Sequence, residues 1–163
     1  MPTRITTPRV GARVLLLDPT DRVLLIHALD PTDPTHHWWE LPGGGLDPDE
    51  DLHTAARREV AEETGIVLTD LGRRLWIRES RFNYKGRAHH RIDHVFLART
   101  ATTTPQTSLK PTANERAGLI ERRWWKPQDL HLCQDKLLPP TLPVLLQDLL
   151  NNQFSPEPLT LTD

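Results

Sequence analysis

The sequence predicts a single α/β domain. Short aliphatic runs bounded by turn residues read as strands, a long capped stretch near residue 50 reads as a helix, and an apolar cluster at 143–150 reads as another. With 163 residues, 37% of them hydrophobic, the chain can bury one core and is short for two.

Taken in order, Gly11–Leu17 (GARVLLL) and Arg22–His27 (RVLLIH) are aliphatic runs separated by Asp18-Pro-Thr-Asp21, which predicts two strands joined by a tight turn. Residues 28–37 carry two Asp-Pro turn signals without periodicity and are expected to form a loop ending at Trp38-Trp39. A helix is expected over 48–64. Asp47 can cap it, Pro48 suits its first position, and Glu50 stands three residues past the cap. Thr64-Gly65 is the stop, because Gly65 can adopt the left-handed conformation and Ile66 can fold back on the last turn. Leu71–Glu79 and Arg91–Ala98 are predicted strands, and the Thr/Pro-rich stretch 99–114 a long loop. Leu119–Trp125 is a further strand, and Pro143–Leu150 a terminal helix with Val144, Leu145 and Leu149 on one side. The domain is thus placed at 1–151, with 152–163 as an unstructured tail.

A net charge of -2 provides no broad basic field, so a nucleic-acid polymer or an anionic membrane is not expected as a partner. Met1–Arg9 is polar, and the longest apolar run near it, Val14–Leu17, is neither a secretory core nor a membrane span. Cytoplasmic location is the expectation that follows. The lone Cys133 excludes an internal disulfide and reads as a buried thiol.

The chemistry concentrates in residues 43–66. At about 100° per residue, Glu59, Glu62 and Glu63 share an arc of roughly 100° with Leu52 and Ala55. Three carboxylates at the edge of an apolar face repel one another unless a cation neutralises them, and a hard divalent ion, Mg²⁺ or Mn²⁺, suits oxygen ligands. The competing reading is a solvated acidic face with pairs such as Arg58 with Glu62; such a face belongs on the other side, at Arg57 and Ala61. Just upstream, Gly43-Gly44-Gly45 offers backbone that side chains cannot obstruct, able to approach a phosphate or to present a carbonyl to a metal.

Gly44, Glu50 and the run Arg58-Glu-Val-Ala-Glu-Glu-Thr-Gly-Ile66 stand at the spacing of the Nudix box, and Trp39-Glu-Leu-Pro-Gly-Gly44 before it is also typical of Nudix proteins. The chain therefore resembles the Nudix hydrolase family (MutT-like). The resemblance implies an α/β/α sandwich with a mixed sheet, and hydrolysis of a phosphoanhydride bond in a nucleotide by metal-activated water. It implies that Glu59, Glu62 and Glu63, with the Gly43 carbonyl, hold Mg²⁺, and that Glu50 and Arg58 form a salt bridge orienting the helix. In the family the general base comes either from the helix, here Glu63 with Glu62 and Arg58 beside it, or from a late loop, here Glu115 with Glu121 behind it. Members often dimerise, although no segment here marks an interface.

For substrate contacts, Gly44 can approach a phosphate, and Trp39, like Trp38, Trp124 and Trp125, can either stack on a base or pack the core. Tyr84 stands 18 residues past the box, a spacing reminiscent of dinucleoside polyphosphate hydrolases, and Arg78 leads a basic set with Arg81, Lys85, Arg87 and Arg91. Histidines 36, 37, 89, 90 and 94 read as surface residues, because neighbours on extended backbone point apart. Three functions remain open: a nucleotide pyrophosphatase, a sensor that binds nucleotide without cleaving it, and a protein-interaction domain using its tryptophans.

Overall fold

The computed structural model describes residues 7–101 and 118–162. Its centre is β1 (Arg9–Leu17), buried from Gly11 onward, so this strand reads as an almost continuous apolar run. It runs parallel to β6 (Arg87–Arg99), from Arg9 opposite Arg91 to Leu17 opposite Arg99. At one end it takes β4 (Gly43–Gly45) antiparallel, and at the other it meets β2 (Val23–Asp30) at Leu17–Val23. The turn between β1 and β2 is built by Asp18, whose Oδ1 accepts from the Thr20 and Arg22 backbone amides, each at 2.9 Å.

The mixed sheet extends both ways from this centre. β2 lies between β3 (Asp33–Glu40) and β7 (Leu119–Trp125), both antiparallel to it, and β8 (Lys136–Leu138) is parallel to β3 on the outside. Beyond β6 come β5 (Arg74–Tyr84), antiparallel, and then β9 (Leu159–Thr162), parallel. Alternate side chains of β1 and β2 feed two cores. Ala12, Val14, Leu16 and Leu24 pack with Ala55, Ala56 and Val60 of α1 (Leu52–Thr64). Leu15, Leu17 and Leu25 cluster with Leu130 of α2 (Pro127–Leu130) and Leu142, Leu145 and Leu146 of α3 (Leu142–Leu150). Each fully buried leucine contributes about 1.5–3 kcal/mol, so the strand positions the site by being the most heavily buried element. The architecture is the expected α/β/α sandwich with a mixed sheet. Among the described residues no helix is long and apolar enough to cross a membrane.

Four expectations are corrected. Residues 28–37 are not a loop: β2 runs on to Asp30 and β3 starts at Asp33, because Asp30 Oδ1 accepts from the Thr32 amide at 2.9 Å and closes a hairpin. The helix starts at Leu52 rather than 48. Asp51 is the cap, its side chain accepting from the Thr54 amide at 2.7 Å, while Asp49 has φ of 62°, which interrupts helical geometry upstream. In α3 the buried stripe is Leu142, Leu145 and Leu146, and Val144 is 55% exposed; a stripe at i, i+3 and i+4 cannot also include i+2. The tail is not structureless, since β9 pairs with β5 and turns Leu159 and Leu161 onto the core. Two alternating leucines are too short a pattern to read as a strand without the edge they join.

Candidate active site

Pairing of β4 with β1 sets Gly43 opposite Arg13 and Gly44 opposite Ala12, and this brings the glycine loop against the carboxylates of α1. The Gly43 amide donates to Glu63 Oε1 at 3.3 Å. Gly43 has φ of 149°, a conformation that requires glycine, and a side chain at Gly44 would place its Cβ 2.7 Å from the Glu59 carboxylate, which would have to move aside. α1 stops where these contacts need it to. Gly65, at φ of 76°, donates from its amide to Ala61 O, while Thr64 Oγ1 donates to Val60 O at 2.6 Å.

Glu59 and Glu63 are buried, whereas the Glu62 side chain is 40% exposed. Arg58 ties the set together. Its Nε donates to Glu50 Oε2 at 2.8 Å and its Nη2 to Glu50 Oε1 at 2.9 Å, a two-pronged contact. Its Nη1 reaches Glu59 Oε1 at 3.0 Å and Glu62 Oε2 at 3.2 Å, and Nη2 also donates to Gly45 O at 3.1 Å. The Arg58 hydrogen bonds hold the Glu50 carboxyl below its ordinary range.

Glu63 is in the opposite situation. Burial pushes its carboxyl well above the ordinary carboxylate range; Arg13 opposes that rise, while Glu59 and Glu40 add to it. Arg13 is a buried cation whose Nη1 donates to Leu41 O at 2.7 Å and lies 3.6 Å from Glu40, with its Nε 3.5 Å from Asp93 Oδ2. Negative charge therefore outweighs positive around Glu59 and Glu63. Their oxygens, with Glu62 tied to Glu59 through Arg58, make a donor set that fits a hard divalent cation.

The other residues singled out in the sequence are spread around this centre. Tyr84 is half-buried, its ring 6.0 Å from Trp38. Arg78 lies opposite Asp93 across β5 and β6, and Arg91 lies opposite Arg9, so these arginines share a sheet face with Arg13. Trp39 lies elsewhere: it is 1% exposed in the core, with its Nε1 donating to Asp135 Oδ2 at 3.0 Å. No face of it is open to a base. Glu121, on β7, accepts from Arg123 Nη2 at 2.9 Å and faces His27. Glu115 lies outside the described residues.

The NUDIX domain family model matches residues 7–149. The chain belongs to the Nudix family. The RNA pyrophosphohydrolase of Caulobacter vibrioides is 45% identical over 64 residues, 39% of this chain and 35% of that protein. A putative 8-oxo-dGTP diphosphatase of Bacillus subtilis is 42% identical over 55 residues, 34% of each chain. The matched stretch thus spans about a third of the length of these curated relatives. Among solved structures, a MutT NUDIX hydrolase from Burkholderia pseudomallei superposes with a TM-score of 0.63 at 25% identity, over 87% of this chain and 98% of that one.

Sequence reasoning missed three charged residues beside the α1 carboxylates: Arg13, Glu40 and Asp93. The available signal was a charge inside an aliphatic strand, Arg13 in GARVLLL and Asp93 before HVFLA. Gly44→Ala tests how tightly the loop fixes Glu59. The added methyl must displace the Glu59 carboxylate, so we expect an unchanged fold and a Mg²⁺ requirement for turnover raised about 10–100-fold. Activity titrated against Mg²⁺, beside a circular dichroism melt, gives the answer; an unaltered Mg²⁺ curve would detach Glu59 from the metal.

Proposed function

We propose that this Nudix domain hydrolyses a phosphoanhydride bond in a nucleoside diphosphate linked to a further group, with Mg²⁺ held by Glu59, Glu62, Glu63 and the Gly43 carbonyl. Mn²⁺ is the expected substitute. The observation that carries this reading is the buried Glu59–Glu63 pair beneath a glycine loop, where burial raises the Glu63 carboxyl despite the opposing charge of Arg13. When bound, Mg²⁺ supplies a Lewis acid that offsets phosphate charge and lowers the pKa of water.

The residues divide the remaining work. Arg58 clamps Glu50, Glu59 and Glu62, so the carboxylates stay in place as charge develops. Arg13 opposes the rise in proton affinity that burial gives Glu63. Glu63 is the helix carboxylate that accepts the proton of the attacking water. Gly44 leaves room for the substrate phosphates, and Arg78 and Tyr84 contact the rest of the nucleotide.

A second reading, favoured by the name of the Caulobacter vibrioides relative, has the polyphosphate at the 5′ end of an RNA. Both are tested by measuring phosphate and pyrophosphate release, in Mg²⁺ and in EDTA. The panel comprises nucleoside triphosphates, oxidised nucleotides, nucleotide sugars, dinucleoside polyphosphates and a 5′-triphosphorylated RNA oligomer. Mg²⁺-dependent release from one class is the expected result and names the substrate. Silence across the panel, with nucleotide binding still measurable, would make the domain a sensor.

A further inference from the structure

Away from the α1 carboxylates, a second group of ligand-bearing side chains meets where β2, β3 and the approach to β8 converge. His27 and His37 come from neighbouring strands, two positions apart in register: His27 lies opposite Trp39, and His37 opposite Leu29. Their rings turn toward each other, with His27 Nε2 3.1 Å from His37 Nδ1. One nitrogen from each histidine and one oxygen of Asp135 all lie within 4.8 Å of one another.

We propose that His27, His37 and Asp135 form a binding site for a borderline transition-metal ion, Zn²⁺ by chemistry, separate from the Nudix centre. Two imidazole nitrogens 3.1 Å apart are spaced for a shared ion: at Zn–N distances of about 2.0–2.1 Å they subtend about 100°, close to tetrahedral. Asp135 is exposed, so its carboxylate can swing onto the ion as third ligand, with water as the fourth. Imidazole donors favour Zn²⁺ over Mg²⁺, which prefers oxygen.

The surroundings hold these ligands as an outer shell does. His27 is stacked on Trp39, ring centroids 4.3 Å apart and planes 14° from parallel, which fixes the imidazole plane. Its other nitrogen, Nδ1, is buried without a hydrogen-bond partner and faces Glu121 Oε1 at 3.6 Å. A small movement of Glu121 onto this nitrogen would complete the carboxylate–histidine contact that orients a metal-bound imidazole. Asp135 is steered by the Trp39 Nε1 donor at 3.0 Å. Because Asp135 immediately precedes β8, an ion here would pin that edge strand to β2 and β3.

The test uses Zn²⁺ itself, titrated calorimetrically into full-length protein with Mg²⁺ in large excess so that the α1 carboxylates are occupied. The variants are His37→Ala, Asp135→Asn, which keeps an acceptor for Trp39, and Glu59→Gln/Glu63→Gln. We expect one Zn²⁺ per chain, a higher melting temperature on binding, and visible absorption from a four-coordinate site when Co²⁺ is substituted. The affinity should fall about tenfold or more in His37→Ala and in Asp135→Asn, and should persist in the double glutamine variant. If His37→Ala does not fold, the exposed Asp135 carries the comparison. The proposal is overturned if wild type binds no Zn²⁺ under these conditions, if neither variant weakens it, or if binding disappears with the glutamates.

Discussion

Glu63→Gln is expected to make the metal-free protein more stable while lowering kcat by about 10²–10⁴-fold. Both effects have one origin. Burial holds the folded Glu63 carboxyl well above its ordinary value of 4.5, so the folded chain keeps a proton that the unfolded chain has released. Where the folded state binds more protons, stability falls as pH rises. This contribution is therefore fully present below 4.5 and is lost progressively as pH climbs through the folded value. Glutamine is neutral at every pH and still offers an oxygen to the Gly43 amide. Melting curves in EDTA from acidic to alkaline pH should slope downward for wild type relative to a flatter variant, and Mg²⁺ should restore wild type alone. A variant that melts below wild type in neutral EDTA, or that turns over at a near-wild-type rate, would remove Glu63 from the centre of the site.

Arg13→Met carries the largest expected cost to the fold. Arg13 is the cation that Glu40, Asp93, Glu63 and Glu59 surround, and Asp93 Oδ1 already lacks a hydrogen-bond partner. Removing one partner from a buried ionic group typically costs about 3–5 kcal/mol, because the remaining charges keep their desolvation penalty. At about 2–4 °C per kcal/mol for a chain of this size, the melting temperature should drop by about 6–20 °C. Methionine fills similar volume, so the loss would report charge rather than a cavity. Urea unfolding beside the melt measures it directly. A change below about 1 kcal/mol would show that the acidic groups around Arg13 are solvated and that its burial matters little.

The stability cost and the catalytic role come from the same unequal sharing of charge. Arg58 gives Glu50 two hydrogen bonds and lowers its proton affinity, whereas Glu63 has one weak backbone donor and a more distant arginine. Two glutamates on either end of one motif are thereby driven in opposite directions. The first is kept ionised as a structural anchor, and the second is left able to take up a proton or a cation.

What the sequence determined by itself is the part of the protein whose interactions stay within one stretch of chain. The spacing of Glu59, Glu62 and Glu63, the stop at Gly65 and the family resemblance all follow from helical periodicity and from conformations local to residues 43–66. The aliphatic runs of β1 and β2 were legible for the same reason, since burial on both faces leaves an unbroken apolar signature. Tertiary structure alone decided which residues meet across strands. Arg13 reaches Asp93 through the register of β1 with β6, Trp39 enters the core instead of facing a ligand, and His27 meets His37 because a hairpin forms where turn residues suggested a loop. β9 exists because β5 offers an unpaired edge and a half-open core for Leu159 and Leu161. Such contacts depend on strand order and register, and a shift of one residue would turn each of these side chains to the opposite face.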